Sequence, residues 1–213
     1  MKLYFIDLDG TIEDSKQDMS LCVNLVRKKL FLPEFEIEFV EKFVNKGMDE
    51  LYKNCFFDYI EKNPTNYHVV KNEYEQCYFN NVCVHTKCYE GIPEALKFLS
   101  QNGKIVVVTN KPEKISRELL KKLNLSNYIS DVMGGDSCAE CKPSPLPLQI
   151  ATEKLAFHDK ENIFMIGDSE GDVKTAQAFG VKSVWCAWGY LKELTNLKAD
   201  IVLHYPLELK NLI

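Results

Sequence analysis

The sequence predicts an α/β fold in which a parallel sheet is interrupted by an inserted helical unit. Two observations carry this prediction. From Gly91 onward, apolar β-branched runs alternate with helical patterns, and this alternation is typical of a parallel sheet with right-handed crossovers. Residues 15–83 instead show apolar positions at helical spacing, without a strand pattern. We therefore divide the chain into a core of residues 1–14 and 84–213 and a helical insert of residues 15–83.

The first predicted element is a buried strand over residues 3–6, which ends in Asp7-Leu8-Asp9-Gly10-Thr11. Ligands of open α/β sheets bind at the carboxyl ends of the strands. Side chains two apart on an extended segment point to one side, so Asp7 and Asp9 can share one small site. Two carboxylates repel each other unless a cation lies between them, and hard oxygen ligands favour Mg²⁺ beside phosphates. An isolated Asp-x-Asp pair is also common in solvated loops.

The insert is predicted to contain four amphipathic helices. Ser15 can cap the first helix, and Pro33 is expected to open the second. Gly47 separates the second helix from the third, and Asn63-Pro64 separates the third from the fourth. We interpret the apolar and aromatic stripes of these helices as packing surfaces.

The remainder of the chain alternates helices and strands. The predicted strands cover residues 105–108, 132–133, 163–166, 181–186 and 201–203. One predicted helix begins at Pro93, and three others cover residues 115–123, 146–155 and 173–179.

Two polar stretches follow this pattern in the places where a phosphate would bind. Thr109-Asn110 comes directly after a predicted strand, where a hydroxyl and exposed backbone N–H groups suit a phosphate oxygen. The same dipeptide is also an ordinary helix cap. Lys142 precedes a helix and is held by Pro143 and Pro145, and an ammonium there can offset the charge of a phosphoryl group. A lone lysine is otherwise a solvated residue.

A second acidic stretch, comparable to that after the first strand, is Gly167-Asp168-Ser169-Glu170-Gly171-Asp172, which follows the predicted strand over residues 163–166. Asp168 and Asp172 are four apart, which can turn both carboxylates to one side. Together with Asp7 and the backbone carbonyl of Asp9, they can complete an oxygen-rich Mg²⁺ site. Aspartates at a helix start also act as caps and as partners of the helix dipole.

These four stretches, in this order, resemble motifs I to IV of the haloacid dehalogenase (HAD) superfamily. The resemblance covers the core from residue 1 to about Glu208 and implies a Rossmann-like parallel-sheet core. The insert after motif I resembles the C1 cap of the phosphoglycolate phosphatase-like subfamily. Three further stretches also resemble that subfamily: Gly91-Ile92-Pro93, Thr109-Asn110-Lys111-Pro112 and Trp188-Gly189-Tyr190.

The resemblance implies a Mg²⁺-dependent phosphatase that hydrolyses a small-molecule phosphomonoester. Asp7 would be the nucleophile and Asp9 the general acid and base. Thr109, the Asn110 backbone and Lys142 would bind the phosphoryl group. The implied metal ligands are Asp7, Asp9, Asp168 and Asp172, and Asp172 would act through water or by orienting Lys142.

Substrate specificity is expected in the cap. Asn45-Lys46-Gly47-Met48-Asp49-Glu50-Leu51 partly resembles the substrate loop of the subfamily, and Lys46 can face a second anionic group of the substrate. The alternative is that Lys46 is a solvated residue at a helix end. A phosphomutase of the β-phosphoglucomutase type shares the motifs, but the Ser-Arg expected after Gly47 is Met48-Asp49 here.

Other functions on the same fold are a pyrophosphatase, a nucleotidase, a dehalogenase and a catalytically inactive scaffold. A dehalogenase has no use for Asp9, and a scaffold would not need Asp7, Asp9, Lys142 and Asp168 intact.

Composition and charge place the chain among ordinary soluble globular proteins, with 46% hydrophobic and 27% charged residues. The net charge of −5, with dispersed lysines and arginines, gives no electrostatic footprint for nucleic acid. The sequence shows neither an apolar run long enough for a membrane span nor a signal-peptide pattern. We therefore expect a cytoplasmic monomer or homodimer with no nucleic-acid or membrane partner.

The eight cysteines are scattered over a chain too long to need a disulfide framework. Cys138-Ala139-Glu140-Cys141 is a C-x-x-C stretch without a second pair of suitable spacing. We expect reduced structural thiols and no zinc site.

Overall fold

The computed structural model describes residues 1–44 and 46–213 of the chain. These residues form two compact units. One comprises Met1–Asp14 and Cys88–Ile213 and is called the core unit below; the other, Ser15–Lys87, is called the helical unit. Asn45, the first residue of the expected substrate loop, lies outside the described residues.

The core unit is built on a parallel sheet. In chain order, the strands are β1 (Lys2–Ile6), β2 (Glu13–Asp14), β3 (Lys87–Cys88), β4 (Gly103–Val108), β5 (Asp131–Met133), β6 (Ile163–Gly167), β7 (Lys182–Cys186) and β8 (Ile201–Leu203). Within the described residues, six of them form one sheet in the order β5-β4-β1-β6-β7-β8, and all of its neighbouring strands are parallel. The predicted α/β fold is confirmed.

Hydrophobic burial explains why β1 and β4 lie inside the sheet and not at its edges. Leu3 to Ile6 and Ile105 to Val107 have no exposed surface, as expected for parallel strands that are covered on both faces. The helices of the core unit are α6 (Ile92–Asn102), α7 (Glu113–Lys122), α8 (Leu146–Lys154) and α9 (Glu170–Phe179). Leu148, Ala151 and Ala176 from these helices join the buried cluster around Phe5 and Met165.

The helical unit contains α1 (Lys16–Lys29), α2 (Ile37–Val44), α3 (Met48–Cys55), α4 (Phe57–Ile60) and α5 (Asn66–Asn81). Two details of the prediction are wrong. The helix expected to open at Pro33 begins at Ile37, and the third helix, expected between Gly47 and Asn63, is divided at Phe56, where φ is −136°.

Side chains of α1 explain the late start of α2. The Asn24 side chain donates to the Phe35 carbonyl at 2.7 Å and accepts from the Phe35 N–H at 2.9 Å. Arg27 Nε donates to the Pro33 carbonyl at 2.6 Å. Because these contacts occupy backbone groups that a helical turn would use, residues 33–36 stay outside the helix.

Within the described part of the chain, none of the helices combines the length and the apolar character needed to cross a membrane. No disulfide bond joins the described cysteines.

Candidate active site

The register of the sheet brings three loops to one edge. Ile6 at the end of β1 lies opposite Val107 of β4 and Ile166 of β6. The segments that leave these strands therefore start side by side at their carboxyl ends, which is where ligands bind in open α/β sheets. The predicted site residues on these segments are Asp7, Asp9, Thr109, Asn110, Asp168 and Asp172.

Lys142 joins two of the predicted carboxylates. Its Nζ lies 2.7 Å from Asp7 Oδ1 and 2.6 Å from Asp172 Oδ1. The side chains of Lys142 and Asp172 are 4% and 1% exposed, and that of Asp7 is 11% exposed. Charge-assisted hydrogen bonds in such a buried setting are strong and fix the orientation of both partners.

The buried charges of this group shift one another's pKa values. Burial and the neighbouring Asp172 raise the pKa of Asp7 well above its usual range, and Lys142 opposes this shift. Burial alone would lower the pKa of Lys142, but the Asp172 and Asp7 carboxylates outweigh it and raise the pKa. Lys142 therefore remains an ammonium group.

Asp168 is held by groups from distant parts of the core unit. The Tyr190 backbone N–H donates to Asp168 Oδ2 at 2.7 Å, and the Thr11 hydroxyl donates to Oδ1 at 3.3 Å. The Trp185 indole donates to the Asp168 backbone carbonyl at 3.1 Å. Burial, followed by the negative charge of Asp172, raises the pKa of Asp168 to about 7.

Two glycines give Asp168 its space. A Cβ atom added to Gly189 would lie 2.2 Å from Asp168 Cβ and 2.5 Å from its Oδ2. A Cβ added to Gly10, where φ is +79°, would lie 2.3 Å from the same Oδ2. Contacts this short cannot be tolerated, so both positions require glycine for the close approach of Asp168.

The acidic cluster suits a hard cation. Asp7, Asp168 and Asp172 offer carboxylate oxygens that all lie within 4.8 Å of one another. All three residues are buried, and Lys142 offsets only part of their negative charge. A buried group of carboxylate oxygens fits Mg²⁺ better than a soft metal.

Thr109 and Asn110 occupy the loop after β4. The Thr109 hydroxyl accepts from the Lys111 N–H at 3.1 Å, and it keeps its own proton as a donor for a phosphate oxygen. The Asn110 side chain donates to the Lys142 backbone carbonyl at 3.0 Å. The Asn110 side chain therefore stabilises the segment that carries Lys142. This contact is additional to the phosphoryl binding predicted for the Asn110 backbone.

Asp9 lies beside a second buried charge group. Its Oδ1 accepts a hydrogen bond from Lys111 Nζ, which also lies 3.8 Å from Glu13 Oε1. Burial raises the pKa of Glu13 well above its usual range, and the Asp9 charge raises it further. The Asp9 carboxylate is thus directed by Lys111 and does not belong to the cluster of Asp7, Asp168 and Asp172.

A family model described as "Haloacid dehalogenase-like hydrolase" matches residues 4–186, most of the chain. The chain belongs to the haloacid dehalogenase-like hydrolase family. A relative from Aquifex aeolicus, named phosphoglycolate phosphatase, is 32% identical over 214 residues. The match covers 100% of this chain and 97% of the relative. The predicted family and the prediction of a hydrolase are confirmed.

Solved structures of HAD-like proteins share the fold. A Haemophilus somnus structure, titled as a predicted phosphoglycolate phosphatase, is 26% identical with a TM-score of 0.88 and covers 99% of this chain and 97% of its own. A HAD-superfamily hydrolase of subfamily IA, variant 1, from Geobacter sulfurreducens has a TM-score of 0.75 at 22% identity. That match covers 100% of this chain and 96% of the other.

Lys46 belongs to the helical unit of this HAD-like chain. It is exposed, and its Nζ lies 5.4 Å from the centre of the Phe43 ring. Its role in specificity stays a prediction, as does coordination of a metal by the Asp9 backbone carbonyl.

Sequence reasoning missed four groups of the HAD-like site. Thr11 and the Tyr190 N–H hold Asp168, and Lys111 and Glu13 surround Asp9. Thr11 and Lys111 stand inside stretches that the motif comparison had already singled out, so their position was a usable signal. A backbone N–H such as that of Tyr190 leaves no trace in the residue type, and Glu13 resembles any acidic residue after a turn.

Proposed function

We propose that the chain is a phosphatase that hydrolyses a small phosphomonoester through an aspartyl-phosphate on Asp7. The observation that carries this proposal is the buried contact of Asp7 with Lys142, beside Asp168 and Asp172. A nucleophilic carboxylate, a fixed ammonium group and a cluster of oxygen donors are the parts that phosphoryl transfer needs. The relatives named phosphoglycolate phosphatase support this class and make phosphoglycolate the first substrate to test.

In the first step, an Asp7 carboxylate oxygen attacks phosphorus, and the bond between phosphorus and the leaving oxygen breaks. Asp9 donates its proton to that oxygen, so that the product leaves as a neutral alcohol. In the second step, water attacks the phosphorus of the aspartyl-phosphate and gives its proton to Asp9. The bond between phosphorus and Asp7 then breaks, which regenerates both carboxyl groups.

Lys142 and the loop after β4 bind the transferred group. The Lys142 ammonium is held by Asp172 at 2.6 Å, and from this position it would offset the charge that develops on the phosphoryl oxygens during attack by Asp7. The Thr109 hydroxyl and the Asn110 backbone N–H are placed in the same loop as further donors. The short contact favours the predicted role of Asp172 in orienting Lys142.

Asp7, Asp168, Asp172 and the Asp9 backbone carbonyl would hold Mg²⁺. When bound, Mg²⁺ would neutralise negative charge on the phosphoryl oxygens. The excess negative charge of the buried carboxylates supports this cofactor.

A substrate panel tests the proposal. Phosphate release is measured with Mg²⁺ and with EDTA on phosphoglycolate, glucose 1-phosphate, pyrophosphate, a nucleoside monophosphate and p-nitrophenyl phosphate. We expect Mg²⁺-dependent release, with the highest kcat/KM on phosphoglycolate, and none from an Asp7→Asn preparation purified in parallel. Preference for pyrophosphate or a nucleotide would change the substrate class. Isomerisation of glucose 1-phosphate without net release would indicate a phosphomutase, and inactivity on every compound would indicate a scaffold.

A further inference from the structure

A buried lysine next to Asp9 is not part of the four motifs. The Lys111 side chain is 1% exposed, and its Nζ donates a hydrogen bond to Asp9 Oδ1. On its other side, Glu13 Oε1 lies 3.8 Å away, and Glu13 is completely buried. Among the described residues, neither carboxylate oxygen of Glu13 makes a hydrogen bond. The ammonium group therefore lies between two carboxylates that differ in exposure, since the Asp9 side chain is 16% exposed.

Backbone hydrogen bonds fix both sides of this contact. The Lys111 N–H donates to the Thr109 hydroxyl at 3.1 Å, and the Lys111 carbonyl accepts from the Gly135 N–H at 3.0 Å. On the opposite side, the Gly10 N–H donates to the Glu13 carbonyl at 2.8 Å. Because both backbones are held, the ammonium is presented to Asp9 at a fixed position.

The cost of burying these charges indicates that they have a purpose. Removing an ammonium and a carboxylate from water is unfavourable, and an ion pair with good geometry recovers this loss only in part. An apolar pair of similar volume would stabilise such a position as well or better. The contact that the buried charges do provide is a directed hydrogen bond to Asp9, at the edge of the site where the leaving group must lie.

We infer that Lys111 is a positioning residue that holds the Asp9 carboxyl group toward the leaving oxygen, with the buried Glu13 carboxyl group on the other side of its ammonium. This inference rests on the proposed role of Asp9. Lys111 keeps its proton in both steps. Asp9 still gives one proton to the leaving oxygen and takes one from the attacking water, so the balance of the reaction is unchanged.

The dependence of kcat/KM on leaving-group acidity distinguishes a positioning role of Lys111 from general damage to the active site. Departure of an acidic phenol such as p-nitrophenol needs little protonation, whereas departure of a weakly acidic phenol needs a well-placed proton donor. We propose to measure kcat/KM on p-nitrophenyl, phenyl and p-methoxyphenyl phosphate, which have similar shapes. The parent protein should show a shallow dependence on leaving-group acidity.

The variants are Lys111→Met, the double variant Glu13→Gln/Lys111→Met, and Asp9→Asn as the reference. The double variant replaces the Glu13 carboxyl group by a neutral amide together with the loss of the ammonium, so it leaves no buried carboxyl group without Lys111 and can fold where the single variant fails. Lys97→Met, at an exposed position of α6, makes the same substitution away from the site. Thermal unfolding of each variant identifies those that are folded.

We expect loss of the Lys111 ammonium to make kcat/KM depend more steeply on the acidity of the leaving group. The loss of activity on phenyl phosphate should exceed the loss on p-nitrophenyl phosphate by roughly tenfold or more, which is part of the full effect of a general acid. Asp9→Asn should show a larger effect in the same direction, and Lys97→Met should show none.

Equal losses on all three esters in the folded variants, with the steep dependence kept for Asp9→Asn, would overturn the role of Lys111 alone. If Asp9→Asn itself leaves the dependence shallow, the general-acid role of Asp9 fails, and the inference about Lys111 fails with it.

Discussion

Lys142 Nζ lies 2.7 Å from Asp7 Oδ1, and both side chains are almost completely buried. The contact links the end of β1 to a loop more than 130 residues later and directs one Asp7 oxygen toward the ammonium group. Asp172 binds the same ammonium at 2.6 Å, so the position of Lys142 is set by one carboxylate after β1 and another in the first turn of α9. If Asp7 is the nucleophile, as proposed, a carboxylate held in this way needs little reorganisation before attack.

The Asp7→Asn variant should lose phosphatase activity and retain the fold. An amide is a poor nucleophile and carries no charge to pair with Lys142, so no aspartyl-phosphate can form. We expect turnover to fall by at least about a thousandfold, since covalent catalysis is lost altogether. Binding of beryllium fluoride, which mimics the acyl phosphate, should disappear as well. Asp159→Asn, at an exposed position, is the matched control. Substantial residual turnover on p-nitrophenyl phosphate would rule out Asp7 as the nucleophile.

A methyl group at Gly189 should weaken metal binding although every proposed ligand stays in the sequence. The new Cβ would lie 2.2 Å from Asp168 Cβ, so Asp168 or the loop of Gly189 must shift. We expect Gly189→Ala to raise the Mg²⁺ concentration for half-maximal activity by roughly tenfold, in line with the loss of groups that orient a metal ligand. Asp168→Ala should raise it further because it removes the ligand.

Titration of activity with Mg²⁺, together with thermal unfolding at saturating Mg²⁺, checks this prediction. An Asp168→Ala protein with the parent's Mg²⁺ requirement would show that Asp168 does not contribute to the metal site. For Gly189→Ala, a lower unfolding temperature with an unchanged Mg²⁺ requirement would point to a packing role only.

Stability should depend on pH and Mg²⁺ together. In the metal-free protein, the pKa of Asp168 is raised from 3.8 to about 7, mainly by burial and then by Asp172. A carboxyl group with a raised pKa binds its proton more tightly in the folded state, so its stabilising contribution is complete below about pH 4 and is lost as the pH rises through about 7. Mg²⁺ requires the ionised carboxylate, so its stabilising effect should grow over the same range.

The measurement is the thermal unfolding temperature between about pH 5 and pH 8, in EDTA and in excess Mg²⁺. The temperature increase caused by Mg²⁺ should be larger at the upper end of this range. An equal increase at both ends would contradict a metal site that contains a carboxyl group with a raised pKa.

The sheet was predictable from the sequence because its central strands are continuous apolar runs. The strand predicted over residues 163–166 is observed as β6, Ile163–Gly167, and the last strand has the predicted bounds. The helical unit was less predictable. Pro33 has the local properties of a helix start, but contacts of its backbone and that of Phe35 with α1 keep this segment out of the helix. Such contacts between distant residues override local propensity.

The candidate site also contains residues that were predictable from the sequence and others that were not. Asp7, Lys142, Asp168 and Asp172 were identified because their residue types and spacing are characteristic of the motifs. The support of Asp168 by the Tyr190 N–H and the space left by Gly189 arise from the fold and depend on backbone atoms. The Glu13 and Lys111 pair was missed because a charged residue is ordinarily read as exposed, whereas both side chains are buried here.

The last prediction concerns Lys46 of the helical unit. The groups proposed to bind phosphate and Mg²⁺ in the core unit are common to all phosphomonoesters, so discrimination between substrates must come from other groups. Lys46 is exposed and follows the end of α2, and an ammonium in a substrate loop would favour a leaving group that carries a second anion, such as a carboxylate. We expect Lys46→Ala to lower kcat/KM on the preferred anionic substrate by roughly tenfold or more, the loss of one charged contact of ~1.4 kcal/mol. Activity on p-nitrophenyl phosphate, which has no second anion, should change little.

The control for loss of a positive charge in the same unit is Lys42→Ala. Lys42 is exposed on α2, and its Nζ lies 5.9 Å from the centre of the Phe39 ring. Equal losses on both substrates, or the same effect from Lys42→Ala, would exclude Lys46 as a specificity residue.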